Sequence, residues 1–109
     1  MSERWLPLGP LSEIKFEPGA AFRVEDRWIA VFETDDGYRA IDNACPHAGA
    51  PLCDGHYDRS KGTITCALHL WDFEIESGRC EVGPDWNVET YPVRLVEGKL
   101  LQWIQRKPT

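Results

Sequence analysis

Along most of this chain, apolar and polar residues alternate with a period of two, the mark of strands with one buried face; the 3.6-residue period of a helix is almost absent. Ala21-Phe22-Arg23-Val24-Glu25 and Trp28-Ile29-Ala30-Val31-Phe32 read as strands, the second apolar enough to be buried on both faces. Asp35-Asp36-Gly37 forms a hairpin turn into a strand over Tyr38-Arg39-Ala40-Ile41. Lys61-Gly62 turns the chain into Thr63-Ile64-Thr65-Cys66, and Phe73-Glu74-Ile75-Glu76 alternates until Ser77-Gly78 ends it. Tyr91-Pro92-Val93-Arg94-Leu95-Val96 pairs with Lys99-Leu100-Leu101-Gln102-Trp103-Ile104 around Glu97-Gly98. Only Leu11-Ser12-Glu13-Ile14 suggests a helical turn, with Ser12 as its cap. The expected class is all-β. A scaffold from about 1–43 and 88–106 surrounds an insertion at about 44–84 that is crowded with Cys, His, Pro and Gly. Function tends to sit on such loops, held by the rigid part.

Composition sharpens this picture. The 109 residues fit one domain over 1–109. A formal net charge of −6 argues against nucleic acid or an anionic membrane as partner and suits a basic protein surface. No apolar run approaches the ~18 residues of a membrane span. Met1-Ser2-Glu3-Arg4-Trp5-Leu6-Pro7 lacks the basic and apolar regions of a signal peptide, so the expected location is cytoplasmic and reducing. In such a compartment four cysteines are metal ligands or thiols rather than a disulfide framework.

Two short motifs carry the chemistry: Cys45-Pro46-His47 and Cys66-Ala67-Leu68-His69, with 18 residues between them. Thiolate and imidazole together hold zinc or an iron–sulfur centre. A zinc finger groups a Cys pair and then a His pair. Here each half carries one of each, which suits a binuclear cluster with both thiolates on one iron and both imidazoles on the other.

Cys45-Pro46-His47-Ala48-Gly49-Ala50-Pro51-Leu52, followed by Cys66-Ala67-Leu68-His69-Leu70-Trp71-Asp72-Phe73 and Gly78, closely resembles the Rieske ferredoxin family. Gly83-Pro84 is similar to that family's proline loop, and Tyr91-Pro92-Val93 to the strand after it. The resemblance covers about residues 28–104. It implies the Rieske iron–sulfur fold: three stacked antiparallel sheets, with one [2Fe–2S] cluster at the tip between two loops, ligated by Cys45, His47, Cys66 and His69. Ala50 and Leu68 stand where respiratory members place a disulfide, and Phe73 where high-potential members place a tyrosine. Without those hydroxyl hydrogen bonds, which raise the potential, a low-potential ferredoxin is expected, near the ~−150 mV lower end of the Rieske range.

The resemblance implies a monomeric electron shuttle between a flavin-dependent ferredoxin reductase and a terminal oxygenase. The alternative is a Rieske-like small subunit of a larger redox complex such as a nitrite reductase. An oxygenase in its own right needs two more histidines and a carboxylate for a mononuclear iron. Of three histidines only His56 would remain, so the chain is not expected to be an enzyme. His56 reads as a surface residue, and Cys53 and Cys80 as thiols without a redox role. Trp71 should lie near the cluster, packed beneath its loop or exposed to a partner. Trp5, Trp28 and Trp103 read as core, and Trp86 as either core or surface. Asp54, Asp58, Glu81 and Asp85 flank the cluster region in sequence and form a candidate docking ring, with Glu13 and Glu17 as acids remote from it.

Overall fold

The computed structural model describes residues 3–46, 49–68 and 70–105. Its strands are β1 (Glu3–Pro10), β2 (Gly19–Val24), β3 (Arg27–Thr34), β4 (Gly37–Asp42), β5 (His56–Asp58), β6 (Thr63–Thr65), β7 (Asp72–Glu74), β8 (Thr90–Tyr91), β9 (Val93–Val96) and β10 (Lys99–Gln105). Short 3₁₀ turns cover Leu11–Glu13, Leu52–Asp54 and Pro84–Trp86. The strands form three antiparallel sheets, ordered β1-β10-β9, β2-β3-β4-β8 and β5-β6-β7. The third sheet comes entirely from the Cys- and His-rich stretch, whereas the other two join the two ends of the chain.

Strand β3 explains the layering. Ile29, Ala30, Val31 and Phe32 are all fully buried, because they alternate between two separate cores. Ile29 and Val31 face a core with Val24, Ala40 and Leu100. Ala30 and Phe32 face a second core with Leu52, Ile64, Phe73, Ile75 and the four cysteines. Sheet β2-β3-β4-β8 is thus the middle layer. The third sheet docks on it through Phe32 and Tyr57, whose rings are 5.3 Å apart, and Tyr57 donates a 2.8 Å hydrogen bond to the Glu33 carbonyl.

The structure departs from the sequence expectations in several places, among them the run Tyr91–Val96, which is split between β8 on β4 and β9 on β10, and the two further 3₁₀ turns. Strand β1 was not anticipated, because Pro7, Gly9 and Pro10 interrupt its alternation. Proline is tolerated there since β1 is an edge strand. Strand β5 is too short to carry a readable period. Ser12 lies inside its 3₁₀ turn and does not cap it. Trp28 is not core: it shares a face with Ala30 and Phe32 but sits at the strand end, beyond the packed layer, and is 53% exposed. The side chains of Trp5 and Trp103 lie outside the described set.

Candidate metal centre

Two loops carry the Cys/His motifs, and their backbones are built alike. The first follows β4 and is closed at its neck by a bridge between Ala44 and Pro51. The second joins β6 to β7 and is closed by the pairing of Thr65 with Asp72. In each, the closing pair lies one residue before the cysteine and six after it. The cysteine amide donates to the carbonyl five residues on: Cys45 to Ala50 at 2.8 Å, Cys66 to Trp71 at 2.9 Å. The cysteine carbonyl accepts from the amide four residues on: Gly49 to Cys45 at 2.7 Å, Leu70 to Cys66 at 2.8 Å. That fourth residue is left-handed in both loops, with φ 74° at Gly49 and 59° at Leu70.

Cys45 and Cys66 therefore occupy the same place in two copies of one hydrogen-bonded frame. Their side chains are 1% and 0% exposed and belong to a single buried core, and no disulfide engages them. Two buried thiols held by matched rigid loops fit a centre that takes one thiolate from each loop. His47 and His69, two and three residues into these frames, lie outside the described residues.

The surroundings distinguish these thiols from the other two. Cys53 donates a long S–H···O contact, 3.8 Å, to Asp54 Oδ1. Burial pushes its thiol up and the Asp54 carboxylate pushes it further, so the protonated form that binds no metal is favoured. Its amide is held by Asn43 Oδ1 at 2.9 Å, and that of Cys80 by Asn87 Oδ1 at 2.8 Å. Asn43, a buried polar residue, and Asn87 thus anchor the backbone beneath the loops. Neither was singled out from the sequence, since an Asn in a turn-rich stretch gives no signal of its partner. Thr65, next to Cys66, donates its hydroxyl to Asp72. That proton is then spent across the loop neck rather than on a cysteine sulfur.

Trp71 is half-buried against the core and meets Trp86 edge-on, with ring centroids 5.4 Å apart. This contact ties the second loop to the 3₁₀ turn Pro84–Trp86. A backbone bond from Glu81 N to Asp72 O, 3.0 Å, ties the start of that segment to β7.

The acidic ring does not form as the sequence suggested. Asp54 lines one groove together with Glu13 and Glu17, so those acids are its neighbours rather than remote from it. Asp58 lies at the turn end of the β5-β6 hairpin, three residues back along β6 from Cys66, or about 10 Å. There its carboxylate accepts hydrogen bonds from the Ser60 hydroxyl and the Lys61 amide and so shapes the turn. Glu81 and Asp85 remain beside the second loop. His56 is exposed, as expected. The sequence reading missed the exposed apolar residues at this end, Leu68 and Leu70, because a leucine in a short motif reads as core.

Comparison with known proteins agrees with this geometry. Residues 4–92 match the model of the Rieske [2Fe–2S] domain. The ferredoxin component of a naphthalene 1,2-dioxygenase system from Pseudomonas aeruginosa is 33% identical over 91% of this chain and 93% of its own. The ferredoxin of carbazole 1,9a-dioxygenase from Nocardioides aromaticivorans IC177 superposes with a TM-score of 0.79 at 27% identity, over 90% of this chain and 95% of that one. The small subunit assigned to an NADH-dependent nitrite reductase of Mycobacterium tuberculosis has a TM-score of 0.83 at 23% identity, over 98% of this chain and 100% of that one. With nearly its whole length accounted for in this way, the chain belongs to the Rieske [2Fe–2S] domain family.

Proposed function

We propose that this chain is a one-electron carrier that takes an electron from a flavin-dependent reductase and delivers it to a terminal oxygenase, with Cys45, His47, Cys66 and His69 holding its cluster. The observation that carries the ligand set is the repeated frame around Cys45 and Cys66, each followed by a histidine before the left-handed residue. When bound, a [2Fe–2S] cluster supplies reversible one-electron storage at a net charge two units less negative than an all-thiolate site. The protein's own contribution is to bury both thiols and to fix both loops with paired backbone hydrogen bonds. The cluster-binding part is taken as about residues 44–84, which supply the whole β5-β6-β7 sheet.

The carrier role is supported by relatives whose names describe ferredoxin components of dioxygenase systems. The reading takes the chain as a cytoplasmic monomer. Among the described residues no helix is long and apolar enough to cross a membrane. A fixed small subunit of a nitrite reductase is the second reading; the 23% identity behind it speaks for the fold alone.

The test is a reconstitution. Purified protein should carry two irons and two acid-labile sulfides and give a Rieske-type electron paramagnetic resonance signal when reduced. Combined with a flavin reductase and an oxygenase component from its own organism, it should support NADH-driven turnover. Stoichiometric zinc without sulfide would refute the ligand reading. Stable co-purification with a nitrite reductase, and no transfer to any oxygenase, would favour the second reading.

A further inference from the structure

Leu70 is unusual in two independent respects. Its backbone is left-handed, with φ 59°, a conformation that leucine resists because Cβ crowds the following carbonyl. Its side chain is 73% exposed, so no packing in this chain compensates for that conformation. The molecule contains its own control: Gly49 holds the same place in the first loop, with the same hydrogen bond to its cysteine and with φ 74°. A Cβ built on Gly49 would meet nothing within 4 Å, so that position too is open to solvent. The same backbone job is thus done by glycine in one loop and by a strained, solvent-facing leucine in the other. The interior of the protein gives no reason for the leucine.

The neighbours of Leu70 suggest the reason. Leu68, on the other side of His69 in sequence, is 68% exposed. Val82 and Trp86, on the segment tied to this loop through the Trp71–Trp86 and Glu81–Asp72 contacts, are exposed as well. Four of the seven large exposed hydrophobics among the described residues therefore lie on the second loop and the segment bound to it. Of the acids expected to provide a charged docking ring, Asp58 lies at the turn end of the β5-β6 hairpin, and Asp54 lines a groove with Glu13 and Glu17. Exposed apolar residues gathered beside a redox site mark a contact surface.

We infer that Leu70, seconded by Leu68, is a docking residue for the oxygenase component, seated in an apolar recess of that partner. This rests on the proposed carrier function and names the residue by which that function selects its partner. Either partner must approach the loop carrying His69, which the two leucines flank in sequence; the oxygenase is the occupant chosen, and a defect confined to the reductase would overturn that choice. The relatives named as ferredoxin components belong to systems defined by such an oxygenase.

The experiment compares wild type with Leu70→Asn and Leu70→Met, each loaded with its cluster, in turnover with the oxygenase component of the same organism. Asparagine tolerates the left-handed backbone but removes the apolar contact, while methionine restores apolar reach. For Leu70→Asn the expected result is an apparent KM for the ferredoxin raised about tenfold with kcat unchanged. Its visible spectrum and midpoint potential should match wild type, and its melting temperature should be equal or higher. Leu70→Met should recover most of the KM. Several results would overturn the inference: an unchanged KM in Leu70→Asn, no recovery in Leu70→Met, a lowered melting temperature or altered spectrum in Leu70→Asn, or a KM defect confined to the reductase. Wild type that reduces no oxygenase would refute the carrier reading and the inference together, whereas normal turnover by Leu70→Asn would refute the inference alone.

Discussion

Replacing Tyr91 by Phe should destabilise the protein at neutral pH and remove part of its alkaline unfolding. The Tyr91 hydroxyl donates to Asp42 Oδ1 at 2.5 Å and accepts from Arg27 Nη1 at 2.6 Å, while Arg27 lies 5.9 Å from the ring centroid. Asp42 Oδ2 also accepts from the Glu89 amide at 3.0 Å, so this network pins β8 to the end of β4, where the first cluster loop begins. Burial first, and then the hydrogen bond to Asp42, raise the phenol from 10 to about 12. A rise of that size sets an upper bound of about 3 kcal/mol. Burial penalises only the phenolate, so what Tyr91→Phe loses at neutral pH is the hydrogen-bond part, about 1 kcal/mol at this half-buried site. The sign follows from linkage. A group whose folded pKa is raised contributes fully below its unfolded pKa, here 10, and loses that contribution as pH climbs through about 12. Tyr91→Phe should therefore melt about 4–8 °C lower at pH 7. Between pH 10 and 12 its melting temperature should fall less steeply than that of wild type, so that the two converge. Thermal unfolding followed by circular dichroism at matched pH checks both parts. Parallel pH curves for the two proteins would refute the reasoning, because the remaining tyrosines, lysines and cysteines titrate in both.

Cys66→Ser should lose the cluster's visible absorbance and Cys45→Ser likewise, while Cys53→Ser and Cys80→Ser should keep it; iron and sulfide analysis of the four variants decides. Trp86→Ala removes the edge-on contact with Trp71, worth about 1 kcal/mol, and should shorten the half-life of the bound cluster in air, read from the decay of its visible bands. Transfer to the oxygenase should fall only about threefold between low and physiological salt, and reversing Glu81 and Asp85 together should change that slope little, because apolar residues dominate that end; stopped-flow reduction at graded ionic strength measures it.

How legible the protein was in its sequence depended on whether the signal was local. The hairpins around Asp35-Asp36 and Glu97-Gly98 were legible because alternation and turn chemistry are properties of adjacent residues. Strand β3 was legible as doubly buried because its apolar run needs no partner to be recognised. Motif spacing by itself pointed to a mixed thiolate–imidazole centre at Cys45, His47, Cys66 and His69, and the family match agrees with that chemistry. Strand β1 escaped because its prolines are acceptable only at a sheet edge, and edges are decided by strand order. Trp28 was misplaced because burial depends on how far the packed layer extends, which alternation does not encode. The acidic ring failed for the same reason: nearness in sequence to the ligands put Asp58 at the wrong end of a hairpin and hid the shared groove of Asp54, Glu13 and Glu17. Sequence alone put forward the candidate ligands of the cluster, since residue type and spacing are local properties. Only the tertiary structure decided that the two loops share one backbone frame, and that Leu70 stands strained and exposed where Gly49 stands in the other loop. Backbone conformation and solvent exposure are set by hydrogen bonds and packing between segments distant in the chain.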